Sequence, residues 1–399
     1  MMADLTADEW AKINALLESD PYKYGIPQRT YGSAVLGSFN IRKLGSVSSR
    51  STNTWNFLAN ICRRFDLLSV QEIMGDLEGF DKLVSLMGPE YDAIVSDKTG
   101  QFPGEQGLGE RLGFIYNRNL IRRGNIISDV SYDRTKLLST IVDHYKVLVE
   151  TAKPYLDYLQ AREAWQANPT GSEPKAPKVQ IPVFLTFIRQ PFCASFEIVG
   201  HPETKPYQIM AINAHLYFGT SLEDRRQEFD ALMEWIIGRV QEQDNAYFSN
   251  YILMGDLNLS FGNPKKDRPQ IEKHIKTFNQ EMQDAGKSTN VNFPFLDVHK
   301  GLTEPFRTNA RLSETFDQIG LFSHDTRLPS YDKNSEMGPE PPQGPDYGVV
   351  NFVELFREAL GLPPSGSLTS PEKKEFYSKF EHEVSDHLPI WLRLPLPEV

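Results

Sequence analysis

The chain has 399 residues, 40% of them hydrophobic and 24% charged, with a formal charge of -11 at neutral pH. That length holds one large or two ordinary domains around a sizeable core, and the acidic balance excludes a protein drawn to nucleic acid or anionic membrane by overall charge. Any polyanion it binds must be met by a local basic patch or by bound metal. Its two cysteines, Cys62 and Cys193, stand in apolar surroundings and read as core thiols, with no disulfide framework. The amino terminus lacks a basic region followed by an apolar stretch, and no apolar run approaches a membrane span. A monomeric cytoplasmic protein without a membrane partner is the expectation.

In chain order, residues 5–18 predict a helix that precedes the first strand, so residues 1–32 form an amino-terminal arm. The run AVLGSFN (34–40) predicts a strand, residues 54–64 a helix with Trp55, Leu58, Ala59 and Cys62 on one face, and LLSVQE (67–72) a second strand. A helix from Leu77 to Met87 follows, then strands at YDAIVS, RLGFIYN (111–117), 183–188 and 193–199. IMAINAH (209–215) and ILMGDLN (252–258) are strands separated by a helix from Leu222 to Val240, whose buried stripe is Phe229, Leu232, Met233, Ile236 and Ile237. Ser385-Asp386-His387 opens a final strand, LPIWLRL. The pattern is compatible with two sheets packed face to face under helices, and no internal repeat is evident.

Two stretches interrupt it, at 124–182 and 325–382. The first carries a helical segment from Lys136 to Asn168 with Leu137, Ile141, Leu148 and Tyr155 as its apolar face, and then NPTGSEPKAPK. The second is broken by EMGPEPPQGPDYG and GLPPSGS. Neither reads as an independent domain, so both are treated as insertions on one domain spanning 33–396. The basic cluster Lys265-Lys266-Arg268 reads as a solvated loop.

Five apolar runs end in residues that can hold a metal or move a proton. Glu72, Asp256 and Asp386 are acids beside apolar runs, where an unpaired carboxylate is costly to bury. A hard cation, Mg2+ or Mn2+, offsets that cost and suits oxygen ligands from Glu, Asp and Asn. His215 and His387 are too few for a zinc site. Metal, two histidines and an Asp point to hydrolysis at phosphorus. Singly, each element is commonly structural: Asp-x-Asn after an apolar run is a frequent turn, and a strand-end His a frequent core residue. The ordered set carries the functional reading.

That set resembles the endonuclease/exonuclease/phosphatase superfamily, and within it the deoxyribonuclease I-like branch. FNIRKLG (39–45), RRFDLLSVQE (63–72), GERLGFIY (109–116), FIRQPF (187–192), NAHL, MGDLN, FDQI (316–319) and SDHLP carry the resemblance in the family's order. It implies an α+β fold, a four-layer αββα sandwich with the active site at one end of the paired sheets. It implies that Glu72 and Asn40 hold the metal and the scissile phosphate, with Asp386 near the same metal. By the same resemblance Asp256 and Asn258 position the attacking water and phosphate, and Arg189 and Arg42 contact phosphate. His215 would protonate the leaving oxygen, oriented by Glu110, and His387, oriented by Asp317, would assist on the other side. Which histidine acts as acid, and whether one or two metals act, stay open.

The implied function is a metal-dependent phosphodiesterase, a nuclease with DNA as its substrate. Gln318 departs from the pattern, since the nuclease branch usually has Arg there, and the missing disulfide and leader disfavour a secreted digestive role. Apurinic endonucleases usually carry Tyr at the position of His215, and inositol phosphatases usually follow GDLN with Tyr-Arg, where this chain has Leu259-Ser260. The alternatives are a phosphomonoesterase or small-molecule phosphodiesterase of the same superfamily, and a binding protein that keeps the fold without turnover.

Overall fold

The computed structural model describes residues 5–99, 109–131, 134–178, 186–219, 221–241, 247–263 and 266–398, apart from the side chains of residues 134–136 and 365. Among them the first half of the chain forms α1 (Ala7–Ser19), β1 (Ser33–Leu44), α2 (Thr52–Cys62), β2 (Leu67–Met74), α3 (Glu78–Met87), β3 (Tyr91–Val95), β4 (Glu110–Asn117), β5 (Ile121–Asp129), α4 (Arg134–Asp143), α5 (Tyr145–Ala167) and β6 (Phe192–Ile198). The second half forms β7 (Tyr207–His215), α6 (Leu222–Gln241), β8 (Asn250–Asp256), α7 (Arg268–Asp284), β9 (Asn290–Asn292), β10 (Asp317–Ser323), β11 (Asp346–Val349), α8 (Phe352–Ala359), α9 (Ser370–Ser378) and β12 (Ile390–Pro395).

The strands make two six-stranded sheets, ordered β11-β12-β1-β2-β4-β3 and β5-β6-β7-β8-β10-β9. Each sheet contains one parallel pair joined by a helical crossover, β1–β2 through α2 and β7–β8 through α6, among antiparallel neighbours. β8 and β10 are buried along their whole length, because one face meets the other sheet and the opposite face meets helices. The sheets face each other where Phe114 of β4 packs on Phe192 and Phe196 of β6, with ring centroids 5.8 and 5.4 Å apart. On the outside of the first sheet, Trp10 of α1, Phe57 of α2 and Phe356 of α8 interlock at 5.2 to 5.8 Å. On the outside of the second, Phe229, Leu232, Met233 and Ile236 of α6 join Ile275 and Phe278 of α7 over Leu253 and Phe322. The result is the helix, sheet, sheet, helix sandwich that the resemblance implies.

Several expectations are refined. The arm is part of the core: α1 starts at a capping box, where the Glu9 N–H donates to Thr6 Oγ1 and the Thr6 N–H to Glu9 Oε2, and it buries Trp10, Ile13 and Leu17. Residues 124–129 belong to β5, so the first excursion leaves the sheet only after them. Its helix is two helices separated at His144, and no side chain of α5 is buried; Leu137, Leu148 and Tyr155 are half-buried and Ile141 is exposed. The stretch 325–382 supplies β11, the edge strand paired to β12, and α8, so it completes the first sheet and covers it. Of the strand expected at 183–188, residues 183–185 lie outside the described residues, and Thr186–Ile188 are irregular. In α6, Ile237 is half-buried while Glu228 and Val240 join the buried stripe. Both cysteines are free and buried. No helix among the described residues is long and apolar enough to cross a membrane.

Candidate active site

The register of the second sheet assembles the centre. Parallel pairing sets His215 beside Asp256, and antiparallel pairing sets Asp317 on the other side of Asp256. Gly255 permits the approach, because a Cβ there would lie 1.9 Å from the Ala214 carbonyl oxygen. Asp256 is buried, and its Oδ2 lies 3.6 Å from His215 Nε2 and 3.4 Å from His387 Nε2 and accepts from Asn40 Nδ2 at 3.1 Å. The other nitrogen of each imidazole meets a carboxylate: His215 Nδ1 lies 3.0 Å from Glu110 Oε2, and His387 Nδ1 lies 2.9 Å from Asp317 Oδ2. A carboxylate can only accept, so in the hydrogen bond from His387 to Asp317 the proton sits on Nδ1, while His215 Nδ1 faces Glu110 across an ion-pair distance; each Nε2 is turned toward Asp256. Two histidine–carboxylate pairs therefore flank one central carboxylate, as the resemblance implies.

The electrostatics follow. Burial alone would raise the Glu110 carboxyl, but His215 and Arg189 outweigh it and hold Glu110 down at about 2. Burial likewise works against a charged imidazole at His387, yet Asp317, Asp256 and Asp386 prevail and hold it protonated well above the usual range.

The first sheet contributes Asn40 from β1 and Glu72 from β2. Register shifts in β2 around Glu72 accompany a positive φ of 59° there, and Lys43 has a φ of 44° and donates its N–H to Glu72 Oε2 at 2.9 Å. Such backbone is rare for residues with a Cβ and gathers at functional sites. Arg42 Nη1 lies 3.3 Å from Asp386 Oδ2, and Ser385 ties the two segments by donating to the Asn40 carbonyl at 2.6 Å and accepting from the His387 N–H at 3.2 Å.

Among the described residues of this centre, two places could take a cation. Asp256, Asp317 and His387 present ligand atoms within 4.8 Å of one another, but both ring nitrogens of His387 already face those carboxylates. Around Asn40, Glu72 and Asp386 the balance differs. Asn40 Oδ1 and Asp386 Oδ1 are buried oxygens with no hydrogen-bond partner, which is costly without a cation and fits a hard one.

Arg189 and Asn258, expected to meet substrate, have protein partners in this structure. Arg189 is buried, with Nε 2.8 Å from Glu110 Oε2, Nη2 3.3 Å from Glu110 Oε1, and Nη1 donating to the His215 and Leu216 carbonyls at 3.4 and 3.2 Å. Its fork is directed at protein. Asn258 donates its side-chain amide to the Leu216 carbonyl at 2.8 Å and its N–H to Asp256 Oδ1 at 3.0 Å, fixing the backbone around the centre. Gln318 is wholly buried and cannot stand in for a substrate-binding Arg. Of the basic cluster, Lys266 pairs with Glu314 and Arg268 with Glu272, while Lys265 lies outside the described residues.

Sequence reasoning missed the polar layer beneath the site. Gln71 Nε2 donates to Asn213 Oδ1 at 2.7 Å across the two sheets, and Asn213 Nδ2 reaches the Val70 and Gly113 carbonyls at 2.9 and 2.8 Å. Arg50, also buried, donates to the backbone carbonyls of Arg42, Lys43 and Glu383 and so holds the strained turn beside Glu72. Adjacency to the motifs was the available signal for Gln71, Asn213 and Ser385; Arg50 had none.

No family model matches the chain, and no curated protein matches it. Solved structures are similar to it along most of its length. They include an endonuclease/exonuclease/phosphatase from Bacteroides vulgatus, at 15% identity over 92% of this chain and 100% of that chain with a TM-score of 0.44. The human Nocturnin catalytic domain with bound sulfate is similar at 14% identity over 92% and 96%, TM-score 0.45. ANGEL2, a 2',3'-cyclic phosphatase in complex with adenosine-2',3'-vanadate, is similar at 14% identity over 91% and 96%, TM-score 0.45. The chemistry of the site rests on its own residues.

Proposed function

We propose that this chain is a metal-dependent phosphoesterase of the endonuclease/exonuclease/phosphatase type, and within that class a nuclease hydrolysing DNA phosphodiester bonds. The observation that carries the proposal is the pair of carboxylate-held imidazoles whose Nε2 atoms converge on Asp256 from either side. Ester hydrolysis needs a proton removed from water on one side of phosphorus and a proton given to the leaving oxygen on the other. This arrangement supplies a proton-handling group for each task.

In this reading Glu72, Asn40 and Asp386 would hold Mg2+ or Mn2+, which supplies neutralisation of phosphate charge when bound. Asp256 accepts a proton from, or aligns, the attacking water, and Asn40 fixes the carboxylate by its 3.1 Å hydrogen bond. One imidazole shares that proton while the other donates to the leaving oxygen. Glu110 and Asp317 set the tautomer and stabilise whichever ring is charged. Arg189 keeps Glu110 ionised, and Arg42, half-buried beside Asp386, is the cation placed to meet a phosphate.

A second reading, hydrolysis of phosphomonoesters or small diesters, is favoured by two features: Arg189 faces Glu110, and Gln318 is buried where the nuclease branch has Arg. The test is a panel of duplex DNA, single-stranded DNA and phosphomonoesters with Mg2+, with Mn2+ and with excess chelator. Metal-dependent release of oligonucleotides is the expected result. Release of inorganic phosphate alone moves the chain to the second reading, and turnover undiminished by chelator overturns the metal-dependent class.

A further inference from the structure

Glu228 lies in the apolar stripe of α6, next to Phe229 and one turn before Leu232, and no part of it reaches solvent. A carboxylate so placed is costly unless both oxygens are used. Both are. Oε1 accepts the Ile188 N–H and Oε2 the Tyr217 N–H, each at 2.6 Å.

Those two donors come from different segments. Ile188 precedes Arg189 in the irregular stretch before β6, and Tyr217 stands two residues after His215, where the chain leaves β7. From the opposite direction Arg189 Nη1 reaches back to the His215 and Leu216 carbonyls. The segment carrying Arg189 and the segment leaving His215 are therefore joined twice, once by the guanidinium and once by the Glu228 carboxylate. Arg189 in turn contacts Glu110, which faces His215 Nδ1. Burial pushes the Glu228 carboxyl up to about 7, while the two backbone donors, Arg189 and His215 draw it down. The group is held at a site that opposes its charge, as a purely structural side chain need not be.

We propose that Glu228 is a positioning residue for proton transfer: it clamps the Arg189 segment to the segment leaving His215 and thereby fixes the Glu110–His215 geometry. This rests on the functional reading above. Acting through His215, it governs turnover more than substrate affinity.

The experiment compares Glu228→Gln, which keeps one acceptor, with Glu228→Leu, which keeps none. Each is assayed per folded molecule, well below its thermal midpoint, on bis(p-nitrophenyl) phosphate with Mn2+. For Glu228→Leu, kcat is expected to fall by roughly tenfold or more with KM within about threefold, and Glu228→Gln to fall between it and the unsubstituted protein. Hydrogen exchange in peptides spanning residues 186–190 and 215–219 is expected to speed up in the same order. A role in stability alone predicts a lower thermal midpoint with unchanged kcat, and that result overturns the proposal, as does unchanged exchange in both peptides. If the unsubstituted protein hydrolyses no phosphate ester, the functional reading fails, and the exchange arm still decides whether the clamp exists.

Discussion

Replacing Glu110 by Gln keeps the shape of the side chain and removes its charge, in a place where charge matters for both folding and chemistry. The carboxyl is held at about 2 against an ordinary 4.5, a gap that corresponds to about 3 kcal/mol. Its side chain is only 9% exposed, so solvent screening takes little from that figure. Because the folded value is depressed, the contribution is fully present above the unfolded value and is lost as pH falls from there toward about 2. In Glu110→Gln the contribution is absent at every pH, and Arg189 is left buried without an anion. Urea unfolding near neutral pH is therefore expected to show a loss of about 3 kcal/mol, and near pH 3.5 the difference should narrow by about 1 kcal/mol. On the same variant kcat should fall, though less than in His215→Ala, since Glu110 orients the imidazole and does not itself transfer the proton. A stability difference that stays constant between the two pH values, together with an unchanged kcat, would refute the role of Glu110 in both respects.

His215→Ala and His387→Ala should each slow hydrolysis by roughly a hundredfold or more in steady-state assays while the circular dichroism spectrum is retained. Glu72→Ala should abolish turnover and leave the fold intact; calorimetric titration with Mn2+ should show the accompanying loss of metal affinity. Gln318→Met should raise stability by about 1 kcal/mol, because both amide atoms of Gln318 are buried without a hydrogen-bond partner, and chemical denaturation will show the sign. Replacing residues 134–178 by a short Gly-Ser linker should preserve hydrolysis of a small chromogenic diester and change the ratio of rates on single-stranded and duplex DNA; an unchanged ratio marks the excursion as scaffold.

β1, β2, β7 and β8 were legible because each is a largely apolar run that delivers polar residues at its end, a pattern that survives burial on both faces, whereas β10, which starts at Asp317, was read only as the motif FDQI. The pairing of His215 with Glu110 and of His387 with Asp317 came from the resemblance, and the distances agree with it. What stayed hidden has physical reasons. β11 and α8 are short apolar segments, DYGV and FVELF, enclosed by Pro and Gly clusters that read as a loop, and only tertiary packing against β12 and α1 reveals them. The phosphate contact of Arg189 came from the resemblance, and sequence cannot show that the Glu110 carboxylate pairs with it in the folded chain. Glu228, next to Phe229 on the buried side of α6, was not singled out, because periodicity alone gives a buried carboxylate no partner.

The contact between Asn40 and Asp256 spans 216 residues of chain, and that between Arg42 and Asp386 spans 344. Closing loops of that length costs entropy before any contact rewards it, so such contacts form late. Neither sheet alone contains the centre: one brings Asn40 and Glu72, the other His215, Asp256 and Asp317, and the segment that enters β12 adds Asp386 and His387. The complete site is therefore a product of the last stage of folding. A chain still emerging from the ribosome, or one stalled with a single sheet formed, carries the separate parts of the site and none of its arrangement.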